Sequence, residues 1–446
     1  MKKTKLITSV FVAFLFLQFI PNFNSFSGAY TQTNPDVYVG VDIAYGAVAD
    51  AKVAIDRVSS FTNFVVIGST QVTWFQDRVN ETFQYAYDKG LSIVSLRPSL
   101  PQYNIIDLNG TMALNETEWY SMAQSRWGDR LLGFYILDEP GGRQLDNTQT
   151  YTWNNYTGYP NSYIDAASMF TEGISRFINS QRPPSYYKTF TSDYALYWYD
   201  YKAGYDTVWT ELGGNNSQQI NFALCRAAAA ANNKDWGAII TWSYTNYPWI
   251  ENGTQLYDDM LLAYDNGAKY IIVFDSNEKG GSILQQEHLD AMQRFWNYAQ
   301  INQPKTTPKN DRTAYVLPNA YGFGFRWPTD HIWGIWQPDA LTANISLSVG
   351  TLLSLYGEKL DISYDDGLQA GYNGYDQLIY WNSYDPTPTA SPSPSPTPIA
   401  SPTPSSSPNN IPQEPFPTTV VAAAALVCVV IGAGLLVYHK KHKNKQ

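Results

Sequence analysis

Gly133-Phe134-Tyr135-Ile136-Leu137-Asp138-Glu139-Pro140 is an apolar run that ends abruptly in two acids and a proline. A short run of this kind reads as a strand buried on both faces, and a proline, lacking its N–H, marks where the ladder stops. Working outward, similar β-branched or aromatic runs recur at Val37–Tyr45, Asn63–Ser69, Leu91–Arg97, Leu131–Asp138, Tyr187–Ser192, Asp206–Glu211, Gly237–Ser243 and Lys269–Asp275. Amphipathic helical patterns separate them, among them Ala47–Phe61, Gln76–Lys89, Ile164–Asn179, Ser217–Ala231, Gln255–Tyr264 and Gln285–Ala299. Strands alternating with helices predict βα units on a parallel sheet. Eight of them within residues 30–305 match a (β/α)₈ TIM barrel, whose active sites lie at the C-terminal ends of the strands. An open doubly wound sheet is the alternative. The first βα turn, Ala44-Tyr45-Gly46-Ala47, carries no glycine-rich phosphate fingerprint, and no Gly-x-x-x-x-Gly-Lys-Ser/Thr occurs, which argues against nucleotide binding.

Beyond the barrel, residues 312–384 read as a small appended α/β domain, with strands at Ala314–Leu317, Lys359–Tyr364 and Gln377–Trp381 and a helix at Ala343–Tyr356. Residues 385–417 repeat Ser-Pro and Thr-Pro, a composition that cannot bury a core and stays extended as a stalk. Residues 418–438 are free of charge and long enough to cross a bilayer as one transmembrane helix. The lysine-rich tail 439–446 then predicts a cytoplasmic C-terminus. At the other end, Lys2, Lys3 and Lys5 precede an apolar run and a small-residue step at Ser27-Gly28-Ala29, so residues 1–29 read as a secretory signal peptide. The expected arrangement is a single-pass cell-membrane protein whose N-terminal domain is extracellular and whose lipid contact is the C-terminal helix. Seven Asn-x-Ser/Thr triplets, starting at Asn80, Asn109, Asn115, Asn155, Asn215, Asn252 and Asn344, are candidate glycosylation acceptors.

Composition narrows the chemistry. The chain of 446 residues holds 2 cysteines and 4 histidines. Cys428 falls in the membrane segment and His439 and His442 in the tail, leaving Cys225, His288 and His331 for the exported part. A multi-histidine metal centre lacks ligands, and neither histidine follows a strand as a Ser-His-Asp relay requires, so no metal and no cofactor is expected. Cys225 reads as a buried packing residue in an alanine-rich helix. Setting aside seven lysines of the two ends and Glu414 takes the formal charge from −10 to about −16, which disfavours nucleic acid as a partner.

Carboxylates remain, and they cluster at predicted strand ends: Asp42, Asp138, Glu139, Asp193, Glu211, Asp275 and Glu278. Glycoside hydrolysis needs only two of them, one protonated and one ionised. Around Asp138-Glu139-Pro140 the sequence resembles the large clan of barrel glycoside hydrolases that carry an acid/base Glu at the end of strand four, usually preceded by Asn and followed by Pro. It is also similar to glycoside-hydrolase-like barrels of the cell surface. The resemblance implies Glu139 as acid. It departs from the clan in two ways: Asp138 stands where Asn is usual, and strand seven ends in Thr241-Trp242-Ser243-Tyr244-Thr245-Asn246, without the clan's nucleophilic Glu. Period-two alternation puts Glu211 on one face with Trp209 and Thr207, which makes Glu211 the preferred partner, with Asp275 and Glu278 in reserve. Asp42, Arg97, Tyr135, Trp209, Trp242 and Tyr244 are the expected substrate-binding residues, the rings for stacking on sugars and Arg97 to orient substrate or hold a carboxylate. Core packing competes for the aromatics, and turn-forming or ion pairing for the acids. The expectation is a membrane-anchored hydrolase of neutral oligo- or polysaccharides; the alternative is a catalytically inactive glycan-binding barrel or a structural protein of the cell surface.

Overall fold

The computed structural model describes residues 37–103, 105–106, 112–147, 160–213, 217–240, 250–367 and 372–386. The expected signal peptide, the transmembrane helix, the basic tail and all but the first two residues of the stalk lie outside the described residues, as do Trp242 and Tyr244.

Eight parallel strands close into a barrel: β1 (Tyr38–Ile43), β2 (Phe64–Ile67), β3 (Ser92–Leu96), β4 (Leu131–Tyr135), β5 (Lys188–Asp193), β6 (Thr207–Leu212), β7 (Asp235–Ile240) and β8 (Tyr270–Phe274). Each pairs with its sequence neighbours, and β1 pairs with β8 from Tyr38↔Tyr270 onward, which removes both sheet edges. Between and after the strands run α1 (Val48–Val58), α2 (Gln76–Asp88), α3 (Glu116–Trp127), α4 (Pro140–Asn147), α5 (Tyr163–Gln181), α6 (Tyr197–Ala203), α7 (Gln218–Ala231), α8 (Gly253–Asp265) and α9 (Gln286–Ile301).

The two-residue period of the strands divides the core. Val39, Val41, Val65 and Ile271 face outward to the helices, whereas Tyr38, Phe64, Phe190, Trp209 and Tyr270 fill the barrel interior. Interior rings pack edge-on and tilted, with Trp209 5.3 Å from Phe190 and 6.3 Å from Phe64. A barrel of this size is filled by side chains rather than left as a pore, and here large aromatics do the filling.

The appended part is a three-stranded parallel sheet, β9 (Thr313–Leu317) between β10 (Leu360–Tyr364) and β11 (Gln377–Tyr380), crossed by α10 (Ala340–Tyr356). By composition α10 is apolar enough to span a membrane, yet its Ile345, Val349 and Leu352 are buried in the core. The sheet joins the barrel through α7, where fully buried Arg226 donates from Nε to Asp361 Oδ1 (2.7 Å) and from Nη2 to the carbonyls of Glu358 and Leu360 (2.9 Å each). A second joint is Trp333, whose carbonyl accepts from Gln144 of α4 (2.9 Å) and whose ring packs on Phe170 and Tyr199.

Candidate active site

The site grows out of the end of β4. That strand was expected to run to Asp138 but stops at Tyr135, because Leu137 and Glu139 turn to left-handed backbone at φ +62° and +50°. Such values cost a non-glycine residue about 1–3 kcal/mol each and persist only where neighbours over-determine them. Here β5 and its surroundings do so. Ile136 N donates to Phe190 O (2.9 Å), Glu139 N to Ser192 O (3.1 Å), Thr191 Oγ1 to Leu137 O (2.6 Å) and Tyr205 Oη to Ile136 O (2.7 Å). The carboxylate of Asp193 then accepts from the N–H groups of Gly141 and Gly142 at the start of α4 and from those of Tyr194 and Ala195. Side-chain space is closed at Gly142, where an added Cβ would sit 2.0 Å from the Tyr194 ring.

This turn brings Asp138 and Glu139 to the barrel mouth opposite Glu211, the inward-facing acid of β6. Ser192 Oγ donates to Glu211 Oε1 (2.6 Å) and lies 2.8 Å from the Tyr135 hydroxyl, which in turn donates to Asp138 Oδ1 (2.6 Å). Arg143, one helical turn past Glu139, pairs with Asp138 at 2.9 Å and stands 4.0 Å from Glu139. Glu139 and Glu211 stand close enough at the strand ends for each to act on the other's titration.

Electrostatics follow from this crowding. Burial, then the charges of Glu211 and Asp138, hold Glu139 well above the ordinary glutamate value, although its side chain keeps 31% of its exposure and opens to solvent. Burial and the charge of Asp138 push Glu211 to about 8, against the lowering effect of its Ser192 hydrogen bond. Asp42, at the end of β1, rises to about 8 through burial and then the charges of Asp138, Glu211 and Asp275. Asp193 reaches about 7, because burial outweighs its four backbone hydrogen bonds. Four close carboxyls cannot all ionise, so protons stay in the cluster at neutral pH.

The structure thus brings Asp42, Asp138, Glu139, Glu211 and Tyr135 together; Asp275 stands beside Asp42, its N–H donating to Asp42 O (2.9 Å), while its side chain and the other expected residues are engaged elsewhere. Arg97 does not reach the acids; it ion-pairs with Glu116 in the first turn of α3 and ties the end of β3 to that helix. Asp275 is turned into its own loop, accepting from Ser282 Oγ (2.6 Å), Ile283 N (2.8 Å) and Leu284 N (3.2 Å). Glu278 is exposed beyond it. Trp209 is not a sugar platform, since only 1% of it is exposed and its indole fills the barrel beneath Glu211, stacked on Tyr135 at 5.7 Å. Tyr135 keeps its hydroxyl at the acids but gives one face to Trp209.

Ser192, Asp193 and Arg143 complete the site. Of these, Asp193 is one of the acids the sequence places at strand ends, and Arg143 carries a signal in its i+4 spacing from Glu139 across a helix opened by Pro140. His288 is buried, its Nδ1 accepting from Gln285 N and its Nε2 lying 2.8 Å from Glu251 O, which makes it a helix cap of α9. Cys225 is buried in α7 beside Val208 O. Among the described residues no group of three or more His, Cys, Asp or Glu is arranged to hold a metal ion.

No protein-family model matches the chain, and no curated protein matches it. Among solved structures, the chain is similar to GH5_18 from Streptomyces cattleya in complex with GlcNAc, at 10% identity and TM-score 0.44, over 78% of this chain and 99% of that one. It is similar to alpha-L-fucosidase isoenzyme 2 from Paenibacillus thiaminolyticus at 10% identity and TM-score 0.42, over 75% of this chain and 59% of that one. It is also similar to 3-hexulose-6-phosphate synthase from Salmonella typhimurium at 10% identity and TM-score 0.27, over 58% of this chain and all of that one. At these scores the likenesses bear on neither substrate nor residue roles.

Proposed function

We propose that the chain is a membrane-anchored extracellular glycoside hydrolase acting on neutral oligo- or polysaccharides, with Glu139 as general acid and Glu211 as the partner that acts once it is ionised. The observation that carries the reading is the cluster of Asp138, Glu139 and Glu211 at the strand ends, linked through Ser192 and Tyr135 and flanked by Arg143. Two carboxyls of unequal proton affinity are what acid-assisted departure of a sugar leaving group requires. In this reading Glu211 is the nucleophile and configuration is retained, which calls for carboxyls roughly 5–5.5 Å apart rather than the roughly 6.5–9.5 Å of inversion. In this scheme Glu139 protonates the glycosidic oxygen while Glu211 attacks the anomeric carbon. Glu139, now ionised, then takes a proton from the water that releases the sugar. Ser192 steadies Glu211, and Asp42, neutral at pH 7, is a hydrogen-bond donor for a substrate hydroxyl. Anchoring and export rest on the sequence of the two ends.

The test is hydrolysis of a panel of chromogenic glycosides and polysaccharides by the wild type and Glu139→Gln, with product anomers followed by NMR. The expected result is a loss of about 10³-fold or more in kcat in the variant at unchanged fold, with retained stereochemistry in the wild type. Undiminished activity in Glu139→Gln would sink the assignment.

A further inference from the structure

The segment Tyr321-Gly322-Phe323-Gly324-Phe325-Arg326-Trp327 of the appended part divides into two kinds of residue. Tyr321 and Phe323 are buried, and Phe325 packs on Phe323 at 4.6 Å. Trp327 is different, for 49% of it is exposed. It is held by Arg326, whose guanidinium lies over the Trp327 ring at 5.7 Å and over the Tyr194 ring at 6.0 Å. Arg326 is itself fixed by paired hydrogen bonds to Asp330 (Nε to Oδ2 2.9 Å, Nη2 to Oδ1 2.6 Å) and by an ion pair to Asp146 at the end of α4. Asp330 N donates to Trp327 O (3.0 Å), closing the turn.

These contacts tie the ring to the acids. Tyr194 Oη donates to Asp146 Oδ2 (2.5 Å), and the Tyr194 ring packs against Gly142, three residues past Glu139, where an added Cβ would lie 2.0 Å from it. Tyr45, two residues past the end of β1, is 42% exposed, and its N–H donates to Ser276 Oγ beyond β8 (3.3 Å). Tyr45 follows β1 and the Tyr194–Arg326–Trp327 group follows β5, strands that lie four apart in the closed eight-stranded barrel and so on opposite sides of its mouth. We propose that Trp327 is a sugar-stacking subsite which the appended part contributes to the barrel cleft, so that the ligand is an uncharged oligosaccharide long enough to run from Tyr45 past the acids to Trp327. An exposed indole face matches a pyranose, which presents its C–H groups to the ring and leaves its hydroxyls to solvent and polar neighbours. Arg326 is already neutralised by two carboxylates, so it offers little to an anionic sugar.

The proposal rests on the glycosidase reading for the position of the cleft, and the test separates the two. Calorimetric titrations of the detergent-solubilised full chain, in a Glu139→Gln background to prevent turnover, would use di- and hexasaccharides of the cello-, laminari-, manno- and chito- series. Trp327→Ala is expected to weaken the best hexasaccharide about tenfold while leaving the disaccharide unchanged. Trp327→Phe should retain most of the affinity, and Tyr186→Ala, an exposed ring before β5 at the opposite end of the barrel, should have no effect. Equal weakening of di- and hexasaccharide, unchanged hexasaccharide affinity in Trp327→Ala, or no binding by any hexasaccharide overturns the subsite. If Trp327→Ala weakens binding yet Glu139→Gln still hydrolyses glycan, the subsite stands and the catalytic assignment fails.

Discussion

Replacing Glu211 by Gln isolates the electrostatics of the site. Gln keeps the shape and the acceptor for Ser192 Oγ but is neutral in both folded and unfolded states. In the native protein Glu211 is held at about 8, against an ordinary value of 4.5. A carboxyl whose folded pKa is raised binds its proton more tightly in the native state, so it favours folding at low pH and loses that advantage as pH rises from the unfolded towards the folded value. Between pH 5 and pH 8.5 the full difference corresponds to about 4 kcal/mol. Glu211 is only partly buried and titrates together with Glu139, which reduces the expected effect to about 2 kcal/mol. Urea unfolding at the two pH values reads it directly. Glu211→Gln should match the wild type at pH 5 and exceed it by about 2 kcal/mol at pH 8.5. A variant destabilised equally at both pH values would refute the reasoning, because it would mean that the native site does not hold a proton on this carboxyl.

The same displacement governs catalysis, since attack requires an ionised Glu211: kcat/KM should climb through pH 7 to 8 rather than plateau from pH 5, as a pH–rate profile would reveal. Gly142→Ala forces a Cβ into the Tyr194 ring, so thermal unfolding should register a loss of about 2–3 kcal/mol, and activity should fall because the helix that follows Glu139 shifts. Arg226→Met leaves Asp361 buried with only Arg312 and Tyr375 as partners, and should cost about 3–5 kcal/mol in urea while glycan affinity of the folded fraction stays unchanged.

Much of the barrel was legible because burial on both faces writes a strand as a continuous apolar run. Even Glu211 was placed correctly on the inner face by alternation with Trp209. The same rule misassigned Trp209 itself, since inward-facing means solvent-facing only at the last residue of a strand; one layer deeper it means the barrel core. Arg97 and Asp275 failed for a different reason. Their partners, Glu116 and the backbone of residues 283 and 284, belong to loops and helices whose docking no local pattern encodes. The left-handed turn at Leu137 and Glu139 was invisible as well, because neither residue favours that backbone and only the hydrogen bonds of β5 and Tyr205 impose it.

The sequence by itself determined which chemistry is affordable, through its scarcity of histidine and cysteine and its acids at strand ends, and it determined the barrel through period-two and helical patterning. Only the tertiary structure decided which acids share protons, because a pKa depends on burial and on charges a few ångströms away, contributed by strands far apart in the chain. Ser192, on β5, reaches Glu211, on β6, because parallel pairing of the two strands sets Ser192 opposite Trp209, two residues before Glu211.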